Sequence, residues 1–188
     1  PYILAKSQDK LRRAIDLATI FQPRSIVCHL QYEENKHGYF FERWLAQSLA
    51  TWRMLADQAA TVGARLMLEN TYETTPDVHR MVLTELQHPA IGFCLDVGHL
   101  GAFAKASWRD WLPEMLPWLG QLHLHDNDGD KDRHLGRPAT QGGGQGADLR
   151  QTFLDHRHGK FGQEVRPRPP LMRGHPEQGQ PRVARRIP

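Results

Sequence analysis

Four short apolar runs, separated by helix-like segments, constrain the fold of this chain most strongly. The runs lie at residues 25–30 (SIVCHL), 65–70 (RLMLEN), 91–96 (IGFCLD) and 121–126 (QLHLHD). The segments between them carry apolar residues at helical spacing, as in residues 44–59. Strands that alternate with helices favour a parallel sheet covered by helices. We therefore expect an α/β fold in which the carboxyl ends of all strands open on one side.

Helix boundaries are predicted from residues that commonly cap helices. Ser7 is expected to cap the first helix, and Gly63 to follow the end of the long helix before the second strand. Thr75 and Pro76 predict an N-cap followed by proline at the first helical position. Residues 110–119 predict a helix that is interrupted by two prolines.

Two regions of the chain differ in charge and composition. Residues 1–135 hold 14 basic and 17 acidic residues, a net charge of −3, and carry the strand–helix pattern. Residues 136–188 hold ten basic and four acidic residues, a net charge of +6, with nine glycines, seven prolines and no sustained period. We expect one folded α/β domain over 1–135, with 136–188 either disordered, translated out of frame, or a basic arm for a partner. The acidic first region makes a nucleic-acid partner less favoured.

The compartment is inferred from two further features. No run of about 18 apolar residues is present, so no membrane span is expected. Cys28 and Cys94 are the only cysteines, and each lies in a strand-like run. Two buried thiols rather than a disulfide are expected, which favours a reducing cytoplasm.

Side chains that can bind metals recur at the predicted strand ends. His29, Glu69, Asp96 and His123 occupy such positions, and 27 residues separate Glu69 from Asp96 and Asp96 from His123. Each residue alone has a structural alternative, such as a hydrogen-bonded histidine or a loop-capping carboxylate. Together they predict a metal site, because buried carboxylates need a partner or a cation. Mixed carboxylate and imidazole ligands suit Mn, Co, Zn or Fe better than Ca.

A second group of such residues lies close to the first along the chain. His99 follows Asp96 by three residues, and the segment HLHDNDGDKDRHL adds His125, Asp132 and His134. An EF-hand loop starting at residue 126 is excluded, because positions six and twelve would hold Lys and Arg instead of Gly and Glu. Asp132 and His134 are therefore interpreted as loop residues that turn back toward the metal site.

The remaining histidines and the tryptophans are given structural roles. His37, His79 and His88 have no such neighbours in sequence and are expected to be exposed to solvent. The five tryptophans are expected to pack helices rather than to stack on bases; they are Trp44, Trp52, Trp108, Trp111 and Trp118.

The strings LMLENTYETTPD, GFCLDVGHL and HLHDNDGDKDRHL resemble the xylose isomerase-like barrel superfamily, which includes sugar phosphate isomerases and epimerases and endonuclease IV. The resemblance implies that residues 1–135 form a partial catalytic (β/α)8 TIM barrel of about four central βα units. It also implies that Glu69, Asp96 and His123 bind a divalent metal (Mn, Co, Zn or Mg), with Glu69 placed for proton transfer. His29 would bind a second metal or the substrate.

The same resemblance implies a further site and a set of activities. His99, with Asp132 and His134, matches the third metal site of the endonuclease-like members, and His99 would also contact substrate. The expected activity is isomerisation or epimerisation of a small sugar or sugar phosphate through an enediolate. The alternative is an endonuclease IV-like phosphodiesterase that acts on abasic DNA.

The chain departs from the family pattern in its length and in one carboxylate. The family barrel has eight strands and a second glutamate at the metal, but only about four strands are predicted here, and Glu164 is a poor match to that glutamate. We therefore expect this polypeptide to be inactive by itself even though its parent would be an enzyme. Uncovered strand edges also predict homo-oligomerisation.

Overall fold

A single parallel sheet organises the part of the chain that the computed structural model describes, which is residues 2–125, 129, 131 and 132. Its strands follow chain order and are β1 (Ser25–His29), β2 (Arg65–Glu69), β3 (Ile91–Asp96) and β4 (Leu119–His123). Each neighbouring pair is parallel. The predicted α/β class and all four predicted strands are therefore confirmed. The fourth strand lies two to three residues earlier than predicted, where the β3–β4 register shifts between Phe93 and Cys94.

Helices precede and connect these strands. The α-helices are α1 (Tyr2–Asp16), α2 (Ala18–Phe21), α3 (Glu34–His37), α4 (Phe41–Thr61), α5 (Asp77–Leu86), α6 (Val97–His99) and α7 (Trp108–Met115). Shorter turns of 3-10 helix occupy Gly38–Phe40 and Leu116–Trp118, and a π-helical turn occupies Leu100–Ala104. Helix α4 packs against α1, α5 and β2, and α5 packs against β3 and α7. No described helix has both the length and the apolar character needed to cross a membrane.

The two faces of the sheet differ because successive strand residues point to opposite sides. One face of β2 and β3 carries Leu66, Leu68, Phe93 and Leu95, which join the hydrophobic core with the helices. All six residues of β3 are buried, as is usual for a central strand of a parallel sheet. All five tryptophans belong to this core or pack against it, which confirms their predicted structural role.

Two predicted helix starts are wrong. Helix α1 begins at Tyr2, so Ser7 lies inside it rather than at its cap. The apolar pattern extends further back than predicted, since Leu4 and Leu11 are both partly buried and lie two turns apart on one face. Helix α5 begins at Asp77, with Pro76 rather than Thr75 at its N-cap position.

Two predicted helix ends agree with the structure. Helix α4 ends at Thr61, and Gly63 has the positive φ of 74° that glycine adopts without strain. The predicted interrupted helix is the helix α7 followed by the turn Leu116–Trp118. Both cysteines are free thiols, as predicted, but Cys94 is buried whereas Cys28 is only half-buried. Residues 136–188 and their predicted disorder lie outside the described part of the chain.

Candidate metal centre at the carboxyl ends of the strands

The register of the sheet brings polar side chains together at the carboxyl ends of the strands. His29 is paired with Glu69, Glu69 with Cys94, and Cys94 with Gln121. These four residues form one row across the sheet. Asp96 pairs with His123 and lies two residues further along β3, so it shares the face of Cys94. All of these side chains point away from the apolar face that the helices cover.

Glu69 lies at the centre of the first group of side chains. Only 4% of the residue is exposed, and its two carboxylate oxygens contact different histidines. His123 Nδ1 lies 2.5 Å from Oε1, and His29 Nε2 lies 3.0 Å from Oε2. Burial alone would raise the pKa of Glu69, but hydrogen bonds from His123 and His29 outweigh burial and hold that pKa well below its usual value. The carboxylate is therefore ionised at neutral pH.

Asp96 lies at the centre of the second group and is only 1% exposed. The His99 backbone N–H donates to Oδ1 at 2.8 Å, and His125 Nε2 lies 3.0 Å from Oδ1 and 3.2 Å from Oδ2. His123 Nδ1 is 3.5 Å from Oδ2, which links the two groups. Burial raises the pKa of Asp96, but His123, His99 and His125 together lower it below the usual value.

The ring of His99 has the contacts expected of a metal-binding histidine. Its Nδ1–H donates to the backbone carbonyl of Asn70 at 2.8 Å, which fixes the tautomer. Its Nε2 lies 3.2 Å from Asp132 Oδ2, a separation at which a proton or a cation shared by the two atoms stabilises the contact. Metal-bound histidines commonly donate their other N–H to a carbonyl in this way.

His123 lies between both buried carboxylates. Asp96, Cys94 and Glu69, in that order, raise its pKa to about 12. The side-chain amide of Gln121 contacts His123 Nε2 at 3.1 Å, and Ser25 donates to Gln121 Oε1 at 2.7 Å. This chain of contacts orients the imidazole toward the carboxylates. The carboxylates of Glu69 and Asp96, 2.5 and 3.5 Å from His123 Nδ1, favour a positive charge at this point.

Three supporting residues were not predicted from the sequence. Asn70 accepts from the Asp96 backbone N–H at 2.8 Å and donates to its carbonyl at 2.9 Å, which joins the ends of β2 and β3. Glu73 is buried and accepts backbone N–H groups of Thr71 and Tyr32. A Cβ at Gly98 would lie 1.9 Å from the His125 ring, so only glycine leaves room for that ring. Asn70 could have been predicted because it directly follows Glu69 at the end of the strand. Glu73 could not, because its loop contacts are not indicated by the sequence pattern.

The predicted site residues are largely gathered in one place. His29, Glu69 and His123 make one set of contacts; Asp96, His99 and Asp132 make the other. Potential ligand atoms of Glu69, Cys94 and His123 lie within 4.8 Å of one another, and so do those of Asp96, His99 and His125. His134 lies outside the described residues.

The prediction that three other histidines are exposed is wrong. His79 is completely buried between Phe93 and Trp111, with ring centroids 5.3 and 5.7 Å away. It belongs to the buried face of α5, which its polarity alone did not indicate. His37 and His88 are partly buried; His37 accepts the Glu33 backbone N–H and His88 contacts Asp57.

Comparison with known proteins assigns the chain to a family. A sequence profile described as "Xylose isomerase-like TIM barrel" matches residues 3–178. The chain belongs to this family. The family accounts for the parallel sheet and for the cluster of polar residues at one end of it, where barrels of this type gather their functional side chains. No functionally curated protein matches the chain.

Solved structures share the xylose isomerase-like fold. The TTHB071 protein from Thermus thermophilus, from a crystal soaked with zinc chloride, is 29% identical with a TM-score of 0.61, and the match covers 74% of this chain and 57% of that one. A xylose isomerase-like TIM barrel protein from Mycobacterium smegmatis, in complex with magnesium, is 24% identical with a TM-score of 0.53, over 65% and 45% of the two chains. A D-allulose 3-epimerase from Methylomonas sp., in complex with D-allulose, is 23% identical with a TM-score of 0.55, over 67% and 46%. The chain thus spans about half the length of these barrel proteins.

The donor set of this family member fits a divalent cation. The carboxylates of Glu69 and Asp96 are buried and each faces at least two imidazole nitrogens, and His99 Nε2 lies 3.2 Å from Asp132 Oδ2. Oxygen and imidazole nitrogen together suit Zn, Co, Mn or Fe, and oxygen-rich variants of such a site also take Mg.

Proposed function

We propose that this chain forms part of a divalent-metal-dependent isomerase or epimerase that acts on a small sugar or sugar phosphate. The observation that supports this most directly is the Glu69 carboxylate, which is buried and ionised and is held between His29 and His123. A buried carboxylate at the end of a barrel strand is suited to moving a proton on a bound substrate. The fold likeness to a D-allulose 3-epimerase is consistent with a sugar substrate.

Glu69, Asp96 and His123 would hold the cation, with His29 and His99 beside them. When bound, a divalent cation supplies Lewis-acid chemistry, which acidifies the C–H next to a sugar carbonyl and stabilises the enediolate. Glu69 removes or returns the proton at that carbon. Gln121 and Ser25 keep the His123 ring in its orientation, and Asn70 keeps Asp96 in position.

His29 gives Glu69 a route for proton exchange with solvent. Its side chain is 46% exposed, and its Nε2 lies 3.0 Å from Glu69 Oε2. The hydrogen bond to Glu69 raises the pKa of His29 above its usual value, and partial burial opposes this rise. His29 can therefore pass a proton between Glu69 and water without opening the site.

The proposal is tested by hydrogen exchange at the substrate carbon. Incubated in D2O with Mn²⁺ or Co²⁺, the full chain is expected to incorporate deuterium next to the carbonyl of a ketose such as D-allulose, detected by NMR. Exchange at one face needs one base, so this half-reaction is expected even though the chain by itself is not expected to complete an isomerisation or epimerisation. Glu69→Gln should reduce exchange at least about 100-fold, the lower range for loss of a positioned acid–base group.

The matched control for this test is Glu85→Gln, on the exposed side of α5, which should exchange at the wild-type rate. Equal exchange in wild type and Glu69→Gln would contradict the role given to Glu69. No metal-dependent exchange with any aldose or ketose would contradict the proposed function itself.

The second group of ligands favours one alternative, a metal-dependent phosphodiesterase that acts on abasic DNA. Asp96, His99, His125 and Asp132 could hold a further ion beside the Glu69 group, and several metals suit phosphate-ester cleavage. The net charge of −3 over residues 1–135 disfavours a DNA substrate. Metal-dependent nicking of an abasic duplex, without deuterium exchange into sugars, would establish this alternative.

A further inference from the structure

The side chain of Cys94 lies inside the candidate metal centre rather than in the hydrophobic core. Cys94 pairs with Glu69 on one side and with Gln121 on the other, so it occupies the row of side chains from which the centre is built. It precedes Asp96 by two residues on β3 and therefore points to the same face. Potential ligand atoms of Glu69, Cys94 and His123 all lie within 4.8 Å of one another.

The other cysteine provides an internal comparison. Cys28 is paired with Leu68, whose side chain belongs to the apolar core on the opposite face of the sheet. Cys28 packs against that core, whereas Cys94 is not part of it. The two thiols therefore lie on opposite faces of the sheet. Of the two, only Cys94 lies in a group of potential metal ligands, with the Glu69 carboxylate and the His123 imidazole.

The distances among the three donors are close to those of ligands that share one ion. Ligands of a tetrahedral zinc ion, with Zn–S near ~2.3 Å and Zn–N near ~2.0 Å, lie roughly 3.5 Å from one another. The donors of Glu69, Cys94 and His123 already lie within 4.8 Å without an ion. The three donors therefore already lie near the separations found among the ligands of one ion.

We propose that Cys94 is a thiolate ligand of the metal centre, so that this chain selects Zn²⁺ or Co²⁺ over Mg²⁺ and Mn²⁺. This inference rests on the proposed metal centre and specifies the kind of ion that it holds. Sulfur ligands favour softer ions, whereas Mg²⁺ and Mn²⁺ prefer oxygen ligands. On binding, the S–H bond is broken, a metal–sulfur bond forms, and one proton passes to the buffer.

The test is the absorption spectrum of the full chain with Co²⁺. Thiolate ligation produces an intense sulfur-to-cobalt charge-transfer band in the near ultraviolet, which carboxylate and imidazole ligands do not produce. The band is expected in the wild type and in Cys28→Ser and is expected to be absent in Cys94→Ser and Cys94→Ala. Cys94→Ser should also weaken Zn²⁺ binding while leaving Mg²⁺ binding unchanged. We expect the loss of Zn²⁺ affinity to be at least about tenfold, because replacing a residue that only supports a ligand already costs about that much.

The outcomes separate this inference from the metal centre on which it rests. Weak visible cobalt bands without the charge-transfer band would overturn the role of Cys94 and leave a centre of carboxylates and imidazoles. A charge-transfer band that is lost in Cys28→Ser instead would also overturn it. Absence of all binding of Co²⁺, Zn²⁺ and Mg²⁺ to the folded chain, checked by circular dichroism, would overturn both proposals.

Discussion

His123 and His79 lie in two regions that shift the pKa of an imidazole in opposite directions. His123 lies at the carboxyl ends of the strands, where Asp96, Cys94 and Glu69 raise its pKa to about 12. His79 lies between helix α5 and the sheet, completely buried against Phe93 and Trp111. Burial lowers the pKa of His79, and the Glu73 carboxylate and the Glu69 backbone carbonyl do not outweigh this effect. The same side chain is therefore stabilised as a cation in one region and as a neutral ring in the other.

The opposite pKa shifts reflect the different surroundings that the strand ends and the helix-covered core give to charged groups. At the strand ends, the two buried carboxylates of Glu69 and Asp96 stabilise positive charge on the neighbouring histidines, and the same carboxylates suit a metal ion. Between the helices and the sheet, the core offers His79 little compensation, since neither ring nitrogen meets a hydrogen-bond partner among the described residues. The proposed metal centre and the packed core are thus separated by one layer of strands.

The largest expected effect is on metal binding. His123→Phe removes the imidazole that contacts both Glu69 and Asp96, and we expect it to weaken Zn²⁺ or Co²⁺ binding more than about 100-fold, beyond the range for residues that only support a ligand. His79→Leu changes a buried histidine outside the centre and should leave the affinity unchanged. Isothermal titration calorimetry on both variants measures the contrast. Equal losses in the two variants would show that the division into two regions is wrong.

Much of this division was predictable from the sequence, because it follows from strand periodicity. The apolar run IGFCLD predicted β3 at its observed bounds, and the strand-end positions of Glu69 and Asp96 predicted their neighbourhood. The burial of His79 was not predicted, because its polarity indicates exposure while its position among Val82, Leu83 and Leu86 places it on the buried side of α5. Contacts that cross between loops, such as those of Glu73, depend on geometry that no local pattern encodes.

A smaller effect is expected on the stability of the fold. His79→Leu replaces two buried ring nitrogens that lack hydrogen-bond partners among the described residues by an apolar side chain of similar size. We expect the free energy of unfolding at a pH of about 7.5 to rise by about 1 kcal/mol, the usual range for removing an unsatisfied buried polar group. Urea denaturation of the metal-free protein measures this change. A clear decrease in the free energy of unfolding would indicate instead that the His79 ring donates a hydrogen bond to the nearby Glu69 carbonyl. His79 and His123 would then differ less, because both rings would have polar partners.

The smallest effect is a pH dependence that comes from His79 alone. Because burial lowers its pKa in the folded protein, the unfolded chain binds a proton near its ordinary pKa of about 6.5 while the folded chain does not. The unfolded state therefore gains protons first as the pH falls, and the wild type loses stability relative to His79→Leu. Linkage limits this change to about 0.7 kcal/mol between about pH 7 and pH 6. His123 differs in sign because its pKa is raised: its contribution to stability is complete below the unfolded pKa of about 6.5 and falls steadily as the pH rises toward the folded pKa of about 12. Urea titrations of the wild type and of His79→Leu at these two pH values measure the change. If the difference between their free energies of unfolding does not increase at the lower pH, His79 is protonated as easily in the folded protein as in the unfolded chain.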